Sequence, residues 1–518
     1  MNESADMPRM AELVAALSIA TDLGLGLSQE HVLRQTLIAR RLGTLAGFSA
    51  EQQTAVFYVS LLAWVGCISD SHELSRSFGD DLRIRSESYL IDKAGLEMMR
   101  FMFAQVMRGR PPLQGVTMVG RVLASGFADG ANSFVTHCQT TGDIADRLSL
   151  SSHVRQSLTQ VFERWDGRGT PGDVAGADID PVVRAVQIAD DAEVLHAQGG
   201  VDAATEMLRR RRGTEFDPEL VDLMIAAAPD IFGDLDRIDA AETVSRLARD
   251  IETPLTPAQF DDALLVFGDY ADLKSAWFTG HSRATAELAF SAASAAGLPE
   301  TDCRQIRNAA LVAHLGRTGV STGIWNKTGP LSAGDTERIR SVPYLTESIL
   351  RRQHSLAELG ALAGMVHERI DGSGYPRGLS GAALPMSARI LAVADWYQTM
   401  AQARPHRAAV PKSERATILR QQVIEGKFDE RAARAVLAAA GHRVPRRVAL
   451  VAGLTDREVQ VLVLLVRGSS NRDIAEQLHI TRRTVGSHVE HIYTKIGVST
   501  RGAAAMFAMR HGLIDAAE

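Results

Sequence analysis

The sequence predicts an all-α protein built from two tandem helical domains and a smaller terminal helical domain. Ala, Leu, Val and Arg recur at helical spacing along the chain, whereas the alternation expected of strands is nearly absent. A chain of 518 residues is also too long for a single core. Finally, two segments from the middle of the chain align with each other without gaps, which indicates an internal repeat.

The internal repeat is clearest in two ten-residue segments, FERWDGRGTP at 162–171 and HERIDGSGYP at 367–376. In the same register Arg184 corresponds to Arg389 and Asp190 to Asp395. Further along the chain, Phe216 and Asp217 match Phe428 and Asp429. We therefore predict four parts: repeat 1 at 1–250, repeat 2 at 251–441, a polar linker at 442–451 and a terminal domain at 452–518.

The terminal domain opens with the segment TDRE at 455–458, which has the S/T-x-x-E spacing of a capping box and predicts a helix start. Gly468 is placed to end that helix in a left-handed conformation. A second helix fits residues 471–478, and Thr481 is a suitable N-cap for a third helix. The pattern predicts three successive helices with a short break before the third.

The run GLTDREVQVLVLLVRGSSNRDIAEQLHITRRTVGSHVEHIYTKIGVSTRGAAAMFAMRHGL resembles the helix-turn-helix of the LuxR/NarL family of bacterial response regulators over its whole length. The resemblance implies that the third helix enters the major groove of double-stranded DNA. It implies that this helix is positioned by Thr481, Arg482, Arg483, Thr484 and Lys495. It implies that bases are faced by Gly486, Ser487 and Glu490. Other members often carry Lys in place of Gly486 and Glu490, so the DNA sequence read is expected to differ.

The net charge of −6 argues against a general nucleic-acid coat, so DNA binding is expected to be local to the terminal domain. Because one such domain has little positive charge, we expect a homodimer that binds two half-sites. The resemblance also implies RNA polymerase as a partner. A final helix over 501–511 resembles the dimerisation helix of the family, although its Ala-rich face is an equally good candidate for the core of its own domain.

Repeat 2 carries the segments GHSRATAELAF, NAALVAHLGRTGVSTGIWNKTGPLS, VPYLTESIL, HERIDGSGYPRGLSGAALPMSARILAVAD and RPHR, in this order. Together they resemble the HD-GYP branch of the HD phosphohydrolases. Members of that branch hydrolyse cyclic diguanylate at a cluster of two or three metal ions, usually iron or manganese. The resemblance implies two tandem HD-domain-like helical domains, followed by a LuxR/NarL-type domain of four helices.

The metal ligands implied by this resemblance are incomplete in repeat 2. Three residues match ligand positions of the family: His281, His367 and Asp395. Other ligand positions do not match: Ala313 and His314 replace the His-Asp pair, with His314 displaced by one position, and Val342 and Val366 replace two imidazoles. Three ligands cannot assemble a two-metal clamp on an attacking water. We therefore expect no catalytic residues, no enzyme activity and no cofactor beyond a residual single metal ion.

Repeat 1 departs further from the family pattern. His31 is a candidate for the first His, whereas Ala63 and Trp64 replace the His-Asp pair and Phe162 replaces the residue equivalent to His367. The carboxylates that persist are Glu163, Asp166 and Asp190. Because Trp64 and Phe162 are bulky and apolar, the pocket is expected to be either filled or lined for an apolar molecule.

The sequence thus predicts a cytoplasmic transcription regulator whose inactive body serves in dimerisation, with a small-molecule ligand in an emptied pocket as a further hypothesis. Two alternatives stay open. One is a metal-dependent cyclic-dinucleotide phosphodiesterase coupled to DNA binding, and the other is a pair of repeats that act only as a scaffold. Three widely spaced cysteines fit a reducing compartment and exclude a cysteine zinc site. No secretion signal is expected, because the N-terminus MNESADMPRMAEL is acidic and amphipathic. No membrane partner is expected, because no apolar run reaches the length of a membrane span.

Overall fold

The computed structural model describes residues 7–92, 95–108, 128–442, 451–510 and 513. It confirms the all-α prediction, since the described residues form helices and contain no strand beyond three isolated bridge pairs. The chain divides into two compact units, 1–442 and 443–518. The predicted linker at 442–451 lies, except for its two end residues, outside the described residues.

The helices described in repeat 1 are numbered here in chain order. They are α1 (Met10–Leu25), α2 (His31–Leu45), α3 (Ala50–Leu62), α4 (Ser71–Phe78), α5 (Asp81–Ser88), α6 (Gly95–Met107), α7 (Ala128–Arg147), α8 (Ser152–Leu158), α9 (Pro181–Arg211), α10 (Pro218–Ala226), α11 (Ala228–Phe232) and α12 (Ala240–Ile251). Several begin at side-chain caps, as at α3, where Ser49 and Gln52 form a capping box. Helix α9 is interrupted at Gly199 and Gly200, whose backbone is not helical.

Repeat 2 continues the numbering. Its helices are α13 (Pro257–Asp272), α14 (His281–Ala295), α15 (Glu300–Val312), α16 (Thr322–Trp325), α17 (Ala333–Arg340), α18 (Val342–Arg351), α19 (Ala357–Ala363), α20 (Met386–Ala401), α21 (Lys412–Ile424) and α22 (Glu430–Ala439). Thr256 and Gln259 form a capping box at the start of α13.

A frame of three mutually packed helices recurs in the two repeats. Helices α2, α3 and α9 pack together in repeat 1, and helices α14, α15 and α20 do so in repeat 2. A short 3-10 turn follows the middle helix of each frame, over Val65–Asp70 and Leu315–Gly319 respectively. Both turns contain a glycine against which another helix packs. A Cβ on Gly66 would lie 2.3 Å from the His137 carbonyl oxygen, and one on Gly316 would lie 2.3 Å from the Val342 carbonyl oxygen.

An equivalent ion pair occurs once in each predicted repeat. Arg184 donates to Asp217 at 2.6 Å in repeat 1, and Arg389 donates to Asp429 at 2.9 Å in repeat 2. Both aspartates also cap the helix that follows them, α10 and α22. The residues that correspond in sequence therefore make the same contacts in the fold.

One stretch of the described residues, Ala50–Phe78, is long and apolar enough by length and composition to cross a membrane, with a mean hydropathy of 1.4. The expectation that no apolar run reaches this length is wrong by that measure. In the structure 78% of the apolar window is buried, and the 3-10 turn at Val65–Asp70 interrupts the stretch. The stretch therefore lies in the helical core of repeat 1.

The terminal unit contains α23 (Asp456–Val466), α24 (Asn471–Gln477), α25 (Arg482–Ile496) and α26 (Arg501–Arg510). The predicted capping box is present, because Thr455 and Glu458 bond each other's backbone amides. Gly468 has the predicted positive φ, and Thr481 caps α25 through the amide of Thr484. The core of this unit includes residues from all four helices: Val461, Leu462, Leu465, Ile474, Ala475, Val485, Ile492, Ala504 and Ala508.

Candidate metal centre and DNA-binding helix

Three buried side chains of repeat 2 converge on one point. His281 opens α14, His314 follows α15, and Asp395 lies within α20, so the three packed helices of the frame bring them together. The Oδ1 atom of Asp395 is 2.9 Å from Nε2 of His281 and 2.8 Å from Nε2 of His314. The two Nε2 atoms are 3.2 Å apart. Two imidazoles and one carboxylate thus face a common centre.

Hydrogen bonding around His281 determines which ring nitrogen faces this centre. Oε1 of Gln402 accepts a hydrogen bond from Arg404 at 3.2 Å, so this oxygen also accepts from Nδ1 of His281 at 2.9 Å. With its proton on Nδ1, a neutral His281 presents a lone pair at Nε2 towards the carboxylate oxygen of Asp395. Two lone pairs 2.9 Å apart repel, and either a proton or a metal ion between them removes that repulsion.

The donor set fits a transition-metal ion. Imidazole suits iron, zinc and related ions, and two His with one carboxylate is the ligand set of many iron sites. The buried Nδ1 of His314 has no hydrogen-bond partner among the described atoms. His367 lies beside the centre, with Nδ1 3.6 Å from Oδ2 of Asp395 and its side chain 20% exposed. Burial, opposed by the charge of Asp395, lowers the pKa of His367 to about 4, so its imidazole is neutral and able to bind a metal.

The expectation that His314 is lost to the centre, and with it the expectation of no cofactor, is wrong. His314 stands where the His-Asp pair has its Asp, and the side chain at that position points into the centre. An imidazole there reaches the centre as a carboxylate would, because its Nε2 atom lies within hydrogen-bonding distance of Asp395 and His281. The remaining substitutions stand, since Ala313, Val342 and Val366 are buried and offer no ligand atom.

Two arginines border the centre. Arg317 is buried, donates to Asp272 at 3.2 Å and has its guanidinium 4.0 Å from the ring centroid of Phe278. Arg404 lies over the same ring at 4.9 Å. Burial lowers the pKa of each guanidinium to about 10, so both remain charged at neutral pH. This part of repeat 2 can therefore attract an anionic group to the metal centre.

The corresponding pocket of repeat 1 is filled by aromatic side chains. The ring centroid of Phe162 lies 5.7 Å from Trp64 and 4.7 Å from His137. His137 takes the place of Val342, since the Gly66 and Gly316 contacts align them, but its Nε2 bonds the Ala63 carbonyl at 2.8 Å. His31 is held between carboxylates, Asp190 at 3.0 Å and Glu193. Of the two alternatives for this pocket, the structure therefore favours the filled one.

The carboxylates that persist in repeat 1 have structural partners. Glu163 accepts from the amides of Gly172 and Asp173, just as Glu368 accepts from Arg377 and Leu379 in repeat 2. Asp166 pairs with Arg164 at 3.2 Å. These residues maintain the turn that both repeats share.

Helix α25 presents most of its predicted DNA-contacting residues to solvent. The exposed ones are Thr481, Arg482, Arg483, Thr484, Ser487, Glu490 and Lys495, whereas Gly486 is half-buried. Lys495 is engaged within the domain, because its ammonium lies 2.7 Å from the carboxylate of Glu458. The terminal helix α26 contributes Ala504 and Ala508 to the core of its own domain.

Comparison with known protein families finds matches in two parts of the chain. The HD domain profile matches residues 266–432, and the profile of bacterial regulatory proteins of the luxR family matches residues 452–508. The chain contains an HD domain followed by a LuxR-family domain. The first of these includes the whole candidate metal centre, and the second includes α25.

Relatives of the HD-domain part include an enzyme. The 3'3'-cGAMP-specific phosphodiesterase 3 of Vibrio cholerae is 26% identical over 418 residues, which is 80% of this chain and 91% of the relative. The crystal structure of the V. cholerae cyclic GMP-AMP specific phosphodiesterase V-cGAP3 covers 85% of this chain and 99% of its own. It has a TM-score of 0.59 at 22% identity, which shows a shared fold.

The LuxR-family domain resembles response regulators. VraR of Staphylococcus aureus is 40% identical over 80 residues, which is 15% of this chain and 38% of VraR.

The expectation that the HD-domain body is not an enzyme is wrong in the light of these comparisons. The body is similar over most of its length to a phosphodiesterase, and its residual ligands converge on one centre.

Proposed function

We propose that this HD-domain protein is a metal-dependent phosphodiesterase of cyclic dinucleotides that is coupled to DNA binding and so regulates transcription. The observation that carries the proposal is the convergence of His281, His314 and Asp395 beside the buried cation Arg317. The relative from V. cholerae supports the substrate class, because it is named as specific for a cyclic dinucleotide.

His281, His314 and Asp395 would hold one ion, with His367 near enough to approach as a fourth ligand. When bound, such an ion supplies Lewis acidity, which lowers the pKa of a bound water and polarises a phosphoryl oxygen. A second ion finds few ligands, since valines occupy two of the other ligand positions. The proposed centre is therefore mononuclear.

The other residues of the site have separable roles. Arg317 and Arg404 bind the anionic phosphodiester and neutralise its charge, and the ring of Phe278 supports both guanidinium groups. Gln402 keeps the His281 proton on Nδ1, so that Nε2 faces the centre. Burial of His281, His314 and Asp395 keeps bulk water away from the centre.

The DNA-binding half rests on the exposure of α25. We propose that Thr481, Arg482, Arg483, Thr484 and Lys495 position the helix on phosphates, and that Gly486, Ser487 and Glu490 face bases. The Glu458 partner of Lys495 makes its phosphate contact the weakest of these. Two copies of the chain would bind two half-sites, with RNA polymerase as the further partner.

The cyclic dinucleotide serves in this proposal as the small molecule that links the two halves. A ligand shifts a conformational equilibrium only by binding one state better than another. We therefore infer that the substrate complex and the free protein hold their DNA-binding domains in different arrangements, and that hydrolysis of the dinucleotide ends the signal.

The test uses the full chain purified with iron or manganese. It should hydrolyse 3'3'-cGAMP or cyclic diguanylate to a linear product, and His314→Ala should lose both the bound metal and the hydrolysis. Replacement of the exposed His354 by Ala is the matched control and should change neither. Absence of turnover with either dinucleotide in protein that has bound its metal would overturn the enzymatic part of the proposal.

A further inference from the structure

A buried ion cluster joins repeat 1 to the wall of the metal pocket in repeat 2. Asp81 at the start of α5 and Lys274 just after α13 are both fully buried, and Nζ of Lys274 donates to Oδ2 of Asp81 at 2.7 Å. Oδ1 of Asp81 accepts from the Ser321 hydroxyl at 3.0 Å and from the Thr322 amide at 2.8 Å. One carboxylate of repeat 1 thus receives donors from two separate segments of repeat 2.

These two segments also bond each other. The Thr322 hydroxyl donates to the Lys274 carbonyl at 3.2 Å. Further along, the Ser275 hydroxyl donates to Oδ1 of Asn326 at 2.8 Å, and the Trp325 ring packs edge-on against Phe278 at 5.1 Å. Residues 272–282 and 315–326 therefore form a single wall, and Asp81 is bound at its centre.

The wall carries the cation that borders the metal centre. Arg317 belongs to the second segment, and its partners Asp272 and Phe278 belong to the first. Asp272 also accepts from the amide of Ser282, the residue that follows the ligand His281. The position of Arg317 relative to the centre thus depends on how the two segments are held together.

The described residues of repeat 1 contain no equivalent of this arrangement. Asp22 accepts from the Val32 amide as Asp272 accepts from Ser282, which makes Gly24 the counterpart of Lys274. Gly24 has no side chain that could supply an ammonium group. Its carbonyl accepts a hydrogen bond from Arg85, and Arg85 also donates to Asp81 at 3.4 Å. The arrangement is therefore asymmetric: a carboxylate of repeat 1 binds the wall of the pocket in repeat 2.

We infer that Asp81 is a positioning residue for the phosphodiester site of repeat 2, acting through Lys274, Ser321 and Thr322 on the placement of Arg317. Repeat 1, whose own pocket is filled, then completes the active pocket of its neighbour. The inference deepens the proposed function and rests on it for the identity of the bound substrate.

The test compares the wild-type chain with the double variant Asp81→Asn/Lys274→Met, which removes both buried charges together, while the buried Arg85 keeps its ion pair with Asp70. Arg147→Ala is the matched control. This variant breaks a different contact between the repeats, the ion pair of Arg147 with Asp269 at 2.7 Å, in which Asp81 takes no part. Three quantities are measured: bound metal, hydrogen exchange of residues 272–282 and 315–326, and KM and kcat for 3'3'-cGAMP.

The double variant should exchange faster in both segments and keep its metal. Its KM should rise about 10-fold with a smaller change in kcat, because Arg317 binds the substrate in both the ground state and the transition state. Ser321→Ala, which removes one hydrogen bond to Asp81 without burying an unpaired charge, should shift exchange in the same direction and serves if the double variant does not fold. Arg147→Ala should match the wild type.

Wild-type exchange in both segments and an unchanged KM in the double variant would overturn the inference. Failure of the proposed function is recognised separately. If the metal-loaded wild type hydrolyses neither dinucleotide, the enzymatic proposal fails. The hydrogen exchange of the double variant still tests the role of Asp81: faster exchange confined to the two segments supports it, and wild-type exchange contradicts it.

Discussion

His281 donates a hydrogen bond from Nδ1 to the side-chain oxygen of Gln402, 2.9 Å away, and thereby turns its other nitrogen towards Asp395 and His314. Partners of this kind orient metal-binding imidazoles, and their loss usually costs about 10–100-fold in metal affinity. We predict that Gln402→Ala weakens metal binding by about this factor without unfolding the protein. Titration of metal-free protein measures it, with the exposed Gln421→Ala as control; equal affinities for variant and wild type would refute the assignment.

The proposed phosphate contacts of α25 lead to a prediction about the salt dependence of DNA binding. Arg482 and Arg483 are exposed at the first turn of this helix. Replacing each with Ala should weaken binding to every DNA sequence and make the dependence of log K on log salt shallower by about one unit per lost contact. Binding assays over a salt series check this. Arg472→Ala is the control, because that arginine pairs with Glu476 on α24, and it should bind DNA like the wild type.

Base recognition leads to a different prediction. Glu490 is exposed on the same helix, and a carboxylate can only accept hydrogen bonds, so the cytosine amino group is its natural target. Glu490→Gln should therefore change the preferred base at one position of the half-site, by about 1–3 kcal/mol, while leaving the salt dependence unchanged. Selection of binding sites from a random pool shows whether the preference moves. An identical site selected by both proteins would mean that Glu490 does not contact a base.

Burial of His137 makes repeat 1 sensitive to acid. Burial lowers the pKa of His137 from 6.5 to about 4, with the charge of Arg85 adding to the shift and the Ala63 carbonyl opposing it. Between these values the unfolded chain binds a proton that the folded chain does not, so the stability contribution is complete above pH 6.5 and declines towards pH 4.

The same residue allows this pH dependence to be measured. One pKa unit corresponds to about 1.4 kcal/mol, so the folded chain should lose about 2 kcal/mol through His137 between pH 7 and pH 5. His137→Gln should remove that loss while keeping a donor for the Ala63 carbonyl. Urea unfolding at the two pH values, followed by tryptophan fluorescence, gives the comparison. The exposed His72→Gln should keep the wild-type dependence, and a similar dependence in His137→Gln would contradict the prediction.

Patterns local in sequence predicted the fold well. The capping box at Thr455, the left-handed Gly468 and the N-cap Thr481 all have the expected conformation. The repeated ion pairs confirm the alignment of the two copies. Within α23, Val461, Leu462 and Leu465 are buried, whereas the equally apolar Val459, Val463 and Val466 are half-buried. A helix that is apolar on most sides does not reveal which side faces the core.

The metal centre was predicted only in part, because counting matched positions does not show where a substituted side chain points. The sequence position of His314 is displaced by one residue from the pattern of the family, yet its Nε2 lies 2.8 Å from Asp395. His137 was missed because no motif surrounds it, and only the close contact of its helix with Gly66 aligns it with Val342. The bond from Lys274 to Asp81 joins residues 193 positions apart, a separation over which sequence periodicity carries no information.

The aromatic filling of repeat 1 has a consequence for how such a protein can arise. In a dimer of identical chains, a substitution such as Trp64 would appear in both pockets and close both. Duplication within one chain removes that constraint, since Trp64 and Phe162 close one pocket while the corresponding positions of the other keep His314 and His367. The covalent join between the repeats thus permits a division of labour that symmetry would forbid, in which one copy is free to become a permanent support for the other.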